Sequence, residues 1–474
     1  MAEAFGNLPD GWVATDLGEY LYLKNGFAFK SNDYVLPSDT TYPVIRISDL
    51  DGSVATSEKA VHVQNAPVGF EIIKGDLLIA MSGATTGKLG LFIDKIPALQ
   101  NQRVGKLMFC AEKYGNITYR NYLLSYLSSD ILKIAYGGAQ PNISGKAIES
   151  LVIPFAPYEE QKVITAKLDV IIALVDSIKT RLDQIPQSLK RFRQAVLSAA
   201  VSGRLTADWR GSHTYHSVNL NLSKYNISTS FSTNWKVKVL SDSCSIISGN
   251  AFKSTEFNDS DGVPVIKISN VQYGDFEIKN QQFLPLPYLT QFERYQIKPG
   301  DVLMALTRPI TNDTLKVCRY PEGQPVGVLN QRVCKFSFSN STEKYFFEVL
   351  FQSDYFKVQV SDKLSETLQP NLSPKDLKNL IVVLPGEFEQ KEILRRVEKL
   401  FAWADNIEKQ VAEAQKRVNN LTQSILAKAF RGELTEQWRK DNPDLISGEN
   451  SAAALLERIK AERAAQTKKP KKKV

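Results

Sequence analysis

The chain has 474 residues, 43% of them apolar, and 59 basic against 51 acidic side chains give a formal net charge of +8. That length suggests about three domains at roughly 150 residues each. No run of ~18 apolar residues exists to span a bilayer, and the opening MAEAFGNLPDGW lacks the parts of a signal peptide, so a cytoplasmic protein with no membrane partner is expected.

Lys468, Lys469, Lys471, Lys472 and Lys473 supply five of the charges, which leaves +3 for the rest and makes charge alone weak evidence for nucleic acid. That lysine-rich end reads as a solvated tail. His62, His213 and His216 are the only histidines, so imidazole bases and His metal ligands have little raw material. Cys110, Cys244, Cys318 and Cys334 show no CxxC spacing and read as reduced core thiols.

The first 157 residues read as short strands, PVIRISDL, GDLLIAM and VGKLMFC among them, followed by a helical stretch RNYLLSYLSSDILKIA. From Glu159 the period changes. Ile164, Leu168, Ile171, Val175, Ile178, Leu182 and Ile185 alternate spacings of four and three, a heptad seam. Pro186 is expected to end or kink this helix, which would leave 27 residues, roughly 40 Å at ~1.5 Å each. The polar stretch after it, with His213 and His216, reads as a linker.

The chain is then written a second time. Asn101-Gln102-Arg103-Val104 recurs 229 residues later as Asn330-Gln331-Arg332-Val333. Gln140-Pro141-Asn142, Glu160-Gln161-Lys162 and Trp209-Arg210 recur at the same offset. Nearer the start, Trp12 matches Trp235 and Ala28-Phe29-Lys30-Ser31 matches Ala251-Phe252-Lys253-Ser254, both 223 residues apart. A constant offset with small drifts means one fold duplicated. The second seam is Ile393, Val397, Leu400, Ala404, Ile407, Val411, Ala414, Val418, Leu421 and Ile425. One such helix cannot bury its seam alone, whereas two in one chain can pair.

The expected divisions are 1–157 and 231–386 as α+β domains, 158–205 and 387–440 as helical regions, 206–230 as a linker, and 441–474 as a C-terminal helix and basic tail. Enzyme motifs fail. Ser82-Gly83-Ala84-Thr85-Thr86-Gly87-Lys88-Leu89 misses both the first glycine and the final hydroxyl of a P-loop. No GxGxxG follows a strand. No polar-Pro-Pro-aromatic tetrapeptide is present to hold a flipped adenine, and the apparent first-copy counterpart of Asp275, Glu277 and Lys279, Asp51-Gly52-Ser53-Val54, has no Glu or Lys in those places.

GAQPNISGKAIESLVIPFAPYEEQ with its partner LQPNLSPKDLKNLIVVLPGEFEQ, and SLKRFRQAVLSAAVSGRLTADWR with LTQSILAKAFRGELTEQWR, carry a resemblance that covers nearly the whole chain. The sequence resembles the specificity subunit of type I restriction-modification enzymes, and NPDLISGENSAAALLERIKAERAA is similar to the enterobacterial IA subgroup. The resemblance implies two α+β target-recognition domains joined by two long helices in an antiparallel coiled coil, with pseudo-twofold symmetry. It implies a split double-stranded DNA target with one domain per half-site. It also implies two adenine methyltransferase subunits and two motor-nuclease subunits as partners. No cofactor is expected on this chain; S-adenosylmethionine, ATP and Mg²⁺ belong to those partners. Half-sites on one face of a duplex lie ~34 Å apart.

Two domains of one fold that read different half-sites must differ at base-contacting positions and may agree at phosphate-contacting ones. Lys30 with Lys253, Arg46 with Lys267, and Arg103 with Arg332 are therefore backbone-contact candidates; a strand-capping or ion-pair role is the alternative for the two arginines. Divergent loops supply the base-readout candidates: Ser82, Thr85, Thr86 and Lys88, and Thr307, Arg308, Thr311 and Asn312. Arg308 leads, because a guanidinium forks onto guanine O6 and N7. Asn142 and Asn371 read as turn or cap residues. Two other readings exist, a stand-alone bipartite nuclease or methyltransferase-nuclease fragment and a tandem scaffold of adhesin or lectin type. The missing motifs count against the first, and the unexported start counts against the second.

Overall fold

A computed structural model describes residues 7–137, 141–211, 213–221 and 226–468. Gln140 of the first Gln-Pro-Asn triplet and the tail lysines from Lys469 onward lie outside the described residues. The chain forms two compact units, residues 1–181 with 414–474, and residues 182–413.

In the first unit Leu21–Asn25, Val104–Phe109, Leu77–Ala80, Leu89–Phe92 and Val54–Ala55 form one five-stranded sheet in that order. A second sheet has the order Tyr34–Val35, Val61–Val63, Tyr42–Ile45, Ala98–Gln100, Glu71–Ile72. The apolar run Leu77–Ala80 is buried at all four positions, as a strand flanked on both edges must be. Two helices, Ile117–Tyr126 and Ser128–Ala135, cover the core; the Asn116 side chain caps the first by accepting from Tyr119 N. Val13–Asp16 pairs antiparallel with Val152–Phe155, which brings Trp12 beside the start of the long helix Tyr158–Ser202.

The second unit repeats this plan. Ser245–Ser248, Val333–Ser337, Val302–Ala305, Val317–Arg319 and Tyr273–Gly274 form the matching five-stranded sheet, and Lys236–Val239 pairs with Ile381–Leu384. Helices Ser341–Phe351 and Asp354–Asp362 take the places of the first pair. The recurring Asn-Gln-Arg-Val motif has a local cause. A Cβ on Gly26 would sit 2.1 Å from the Asn101 carbonyl oxygen, and one on Gly249 would sit 2.2 Å from that of Asn330. Each copy therefore needs glycine opposite its asparagine.

The first long helix does not stop at Pro186. It runs 45 residues from Tyr158 to Ser202 with the proline inside it, roughly 68 Å at ~1.5 Å per residue. Leu189 and Val196 extend the buried seam beyond the proline, and that packing outweighs the one backbone hydrogen bond proline removes. The second long helix runs from Glu387 to Phe430. In the first unit Ile164, Leu168 and Val175 share a core with Ile425, Leu426 and Phe430, with Ile171 and Val418 packed against it. In the second unit Ile393 and Val397 share a core with Val196 and Leu197, and Leu400 packs on it.

Pairing there is antiparallel: Arg193 meets Asp405 and Glu408, while Asp208, further along, meets Arg396. Val411 is buried, and Leu182 and Ile407 are half-buried. Ile178 and Leu421, both placed on the seam by spacing, are exposed. The expected linker carries a helix, Ala207–Arg210, and a hairpin, Tyr215–Asn221 with Asn226–Ser232, whose Phe231 is buried in the second core. Ala452, Leu455, Leu456 and Ile459 of the C-terminal helix complete the first core.

A buried carboxylate recurs near the start of each long helix. Glu160 accepts from the Trp12 indole at 2.7 Å, the Thr435 hydroxyl at 2.5 Å and the Arg439 guanidinium at 2.5 Å. Glu389 accepts from Trp235 at 3.0 Å, Thr206 at 2.7 Å and Arg210. Each arginine also donates to the carbonyl of a left-handed glycine that ends a long helix, Gly432 (φ +74°) or Gly203 (φ +78°).

Removing one member of a buried ion pair leaves an uncompensated charge. Arg439→Met is expected to destabilise the first unit by about 3–5 kcal/mol in urea unfolding, and adding Glu160→Gln should restore much of that loss. All four cysteines are buried; burial pushes the Cys244 and Cys318 thiols up to about 12 and the Cys334 and Cys110 thiols up as well. Because the thiolate is the reactive form, iodoacetamide at pH 8 should label the native protein negligibly and the denatured chain at all four sites.

Candidate nucleic-acid interface

The loop that leaves the buried strand Leu77–Ala80 is held from three sides. Met81 N donates to the Arg103 carbonyl at 2.9 Å and the Met81 carbonyl accepts from Ile143 N at 2.9 Å. The Thr85 hydroxyl donates to the Ile47 carbonyl at 3.1 Å. Arg46–Ile47, Ser82–Lys88, Arg103 and Pro141–Asn142 therefore converge at one rim. Lys88 and Arg103 are exposed there, and neither has an ion pair among the described residues.

The second copy builds the same brace with different readers. Leu306 N donates to the Arg332 carbonyl and Leu372 N to the Leu306 carbonyl, both at 2.8 Å, and Arg308 N donates to the Pro370 carbonyl at 2.7 Å. Where the first copy turns tightly, the second inserts a hairpin, Ile310–Thr311 with Thr314–Leu315. Its two central residues, Asn312 (φ +50°) and Asp313 (φ +60°), are left-handed, as a type I′ turn demands. Lys357 pins the tip at 3.1 Å to both the carboxylate and the carbonyl of Asp313.

Arg308 is itself left-handed (φ +47°), a conformation that costs about 1 kcal/mol or more in a non-glycine residue. Its side chain is exposed and has no ion pair among the described residues. Thr311 is half-buried on the hairpin and Asn312 is exposed at its tip.

Several of the expected contact residues lie elsewhere. Thr86 is fully buried, its hydroxyl donating to the Gly83 carbonyl at 2.6 Å and the Pro141 carbonyl at 3.2 Å. Thr307 is buried too, its hydroxyl 2.5 Å from Asn371 Oδ1. Both threonines fasten the brace and present nothing at the surface. Ser82 Oγ is buried without a hydrogen-bond partner among the described residues. Lys267 points inward: its ammonium donates to Gln282 Oε1 and lies 4.3 Å from the Phe257 ring centroid, and burial lowers its pKa. Arg46 leans toward Asp49 at 3.8 Å.

Lys30, Lys253, Arg103 and Arg332 remain exposed cations. Asn142 and Asn371 bridge to Ser82 and Thr307 and so belong to the scaffold. Sequence reading missed the Lys357 brace and the buried Glu160 and Glu389. The recurrence of Glu-Gln-Lys and Trp-Arg at one offset was the signal for the latter.

No group of acidic, histidine or cysteine side chains among the described residues could hold a metal ion. No described helix is long and apolar enough to cross a membrane. A model of the type I restriction modification DNA specificity domain matches residues 9–187 and again 232–415. The chain belongs to this family.

It is 37% identical to the Escherichia coli type I restriction enzyme EcoBI specificity subunit, over 97% of this chain and 94% of that one. It is 35% identical to the EcoKI specificity subunit of E. coli K12, over 97% of each chain. The HsdS subunit of Thermoanaerobacter tengcongensis, solved by crystallography, shares the fold with a TM-score of 0.56 at 19% identity, over 91% of this chain and 100% of that one. A chain from a type I restriction-modification complex gives 0.60 at 17% identity, over 90% of this chain and 99% of that one. As a specificity subunit the chain confers DNA sequence specificity and is not itself catalytic.

If Lys357 holds the hairpin, Lys357→Met should loosen it without unfolding the unit. Hydrogen exchange at Asn312–Leu315 is expected to accelerate while the amides of Val302–Ala305 keep their protection.

Proposed function

We propose that this specificity subunit reads a split DNA target, with the rim at Ser82–Lys88 on one half-site and the rim at Arg308–Asn312 on the other. One observation carries the reading: both copies use the same backbone brace, from the Arg103 or Arg332 carbonyl and the Pro-Asn pair, yet hold loops of different length and chemistry on it. A repeated scaffold with divergent exposed loops is what two readers of unlike sequences require. Exposed Lys30, Lys253, Arg103 and Arg332 supply phosphate contacts, which position the duplex without reading it.

In this reading the subunit works in the cytoplasm and docks two adenine methyltransferase subunits and two motor-nuclease subunits. S-adenosylmethionine, ATP and Mg²⁺ are bound by those partners. The test is to assemble the subunit with its methyltransferase and map the methylated adenines in DNA. A two-part target with a nonspecific spacer is expected; a single continuous site would refute the reading. The subunit alone should transfer no methyl group and cut no strand. Arg308→Ala should relax specificity in one half-site only, at about 1–3 kcal/mol for a bidentate guanine contact. Uniform weakening on all sequences would make Arg308 a phosphate contact instead.

A further inference from the structure

Beside Arg308 the second rim carries a large apolar side chain that no described residue covers. Leu368 is 99% exposed at the tip of the loop between the helix Asp354–Asp362 and the short helix Pro374–Lys378. The loop is closed on itself. Ser365 N donates to the Asn371 carbonyl at 3.1 Å, and Asn371 N donates to Ser365 Oγ at 2.9 Å. The Thr367 hydroxyl and the Asn371 side-chain amide both donate to the Gln369 carbonyl, at 2.8 and 2.9 Å. The foot of the same loop holds the reader, because the Pro370 carbonyl accepts from Arg308 N at 2.7 Å. Leu368 is thus presented on a tied turn whose base is the brace of Arg308.

The repeat adds an independent argument. Gln369-Pro370-Asn371 is shared with the first copy, but the residue before it is Leu368 in one and Ala139 in the other, the latter outside the described residues. The position diverges directly beside a triplet that does not, as a base-reading position on a shared brace must. An apolar side chain has one thing to read in a major groove. Thymine alone presents a C5-methyl group there, and apolar contact is how side chains recognise it.

We propose that Leu368 is a specificity-determining residue that packs on the C5-methyl of a thymine in the half-site read by the second copy. The inference rests on the proposed DNA-reading role of that rim. Its test uses the subunit assembled with its methyltransferase partner, at fixed salt, on duplexes carrying the mapped target. Each thymine of that half-site is replaced in turn by uracil, which removes only the methyl group.

One position is expected at which uracil weakens binding by the wild type about fourfold, the worth of burying one methyl group. Leu368→Ala should weaken binding to the thymine duplex by a similar factor, lose its response to uracil at that position, and leave the other half-site untouched. Leu368→Met, which keeps an apolar body, should retain the uracil response. Native affinity and specificity in Leu368→Ala would overturn the inference. So would uniform weakening on all sequences, or a loss that uracil does not reproduce, which would mark a wedge between base steps or a contact to a protein partner. A complex with no second half-site would instead refute the underlying reading.

Discussion

A carboxylate buried near the start of each long helix organises this protein. Glu160 and Glu389 are costly to bury, and each is made tolerable only by an indole, a hydroxyl and a guanidinium that reach it from different parts of the chain. The indole comes from the residue just before the strand that opens the domain. The hydroxyl and guanidinium come from the turn and the short helix that follow the opposite long helix, so Glu160 is satisfied by Thr435 and Arg439, and Glu389 by Thr206 and Arg210. Domain, helix start and helix end are thereby fixed to one another in each unit. An apolar seam alone tolerates slippage by a turn; a four-membered polar cluster with one matching partner set does not.

Around that constant frame the two copies separate what must be kept from what must vary. The glycines opposite Asn101 and Asn330 repeat because a Cβ there would meet a carbonyl oxygen, and the carbonyls of Arg103 and Arg332 and the Pro-Asn pairs repeat because they hold the backbone of the loop. The loops those groups hold are free to differ. One copy makes a short turn between Gly83 and Gly87, while the other inserts a strained hairpin locked by Lys357. Strain at Arg308, Asn312 and Asp313 persists because the brace on one side and the ion pair on the other leave those residues no relaxed alternative.

Much of this was legible from residues alone, and for a physical reason: a duplicated fold repeats its brace and buried cluster, so constant offsets marked the scaffold. Heptad spacing found the seam at Ile164, Leu168, Val175, Ile393 and Val397 but could not see that Ile178 and Leu421 face solvent. Pro186 misled because local propensity says nothing of the packing at Leu189 and Val196 that carries the helix through. Neighbouring threonines could not be told apart by type. Thr85 stays near the rim while Thr86 turns wholly inward, and Thr307 spends its hydroxyl on Asn371. Lys267 looked like a free cation because Gln282 and Phe257, which occupy it, lie 15 residues ahead and 10 residues behind in the chain.

The path of the chain through the first unit sets an order in time. Residues 182–413 are contiguous, so the second unit has all its parts when residue 413 leaves the ribosome. The first unit does not: Glu160 waits for an arginine 279 residues later, and Tyr119 and Tyr126 wait for Phe430. At roughly 5–20 residues per second, the N-terminal half stands open for about 15–55 seconds after its own residues are made. The second unit can therefore close before the first, whose N-terminal part is completed by residues that follow the second unit in the chain.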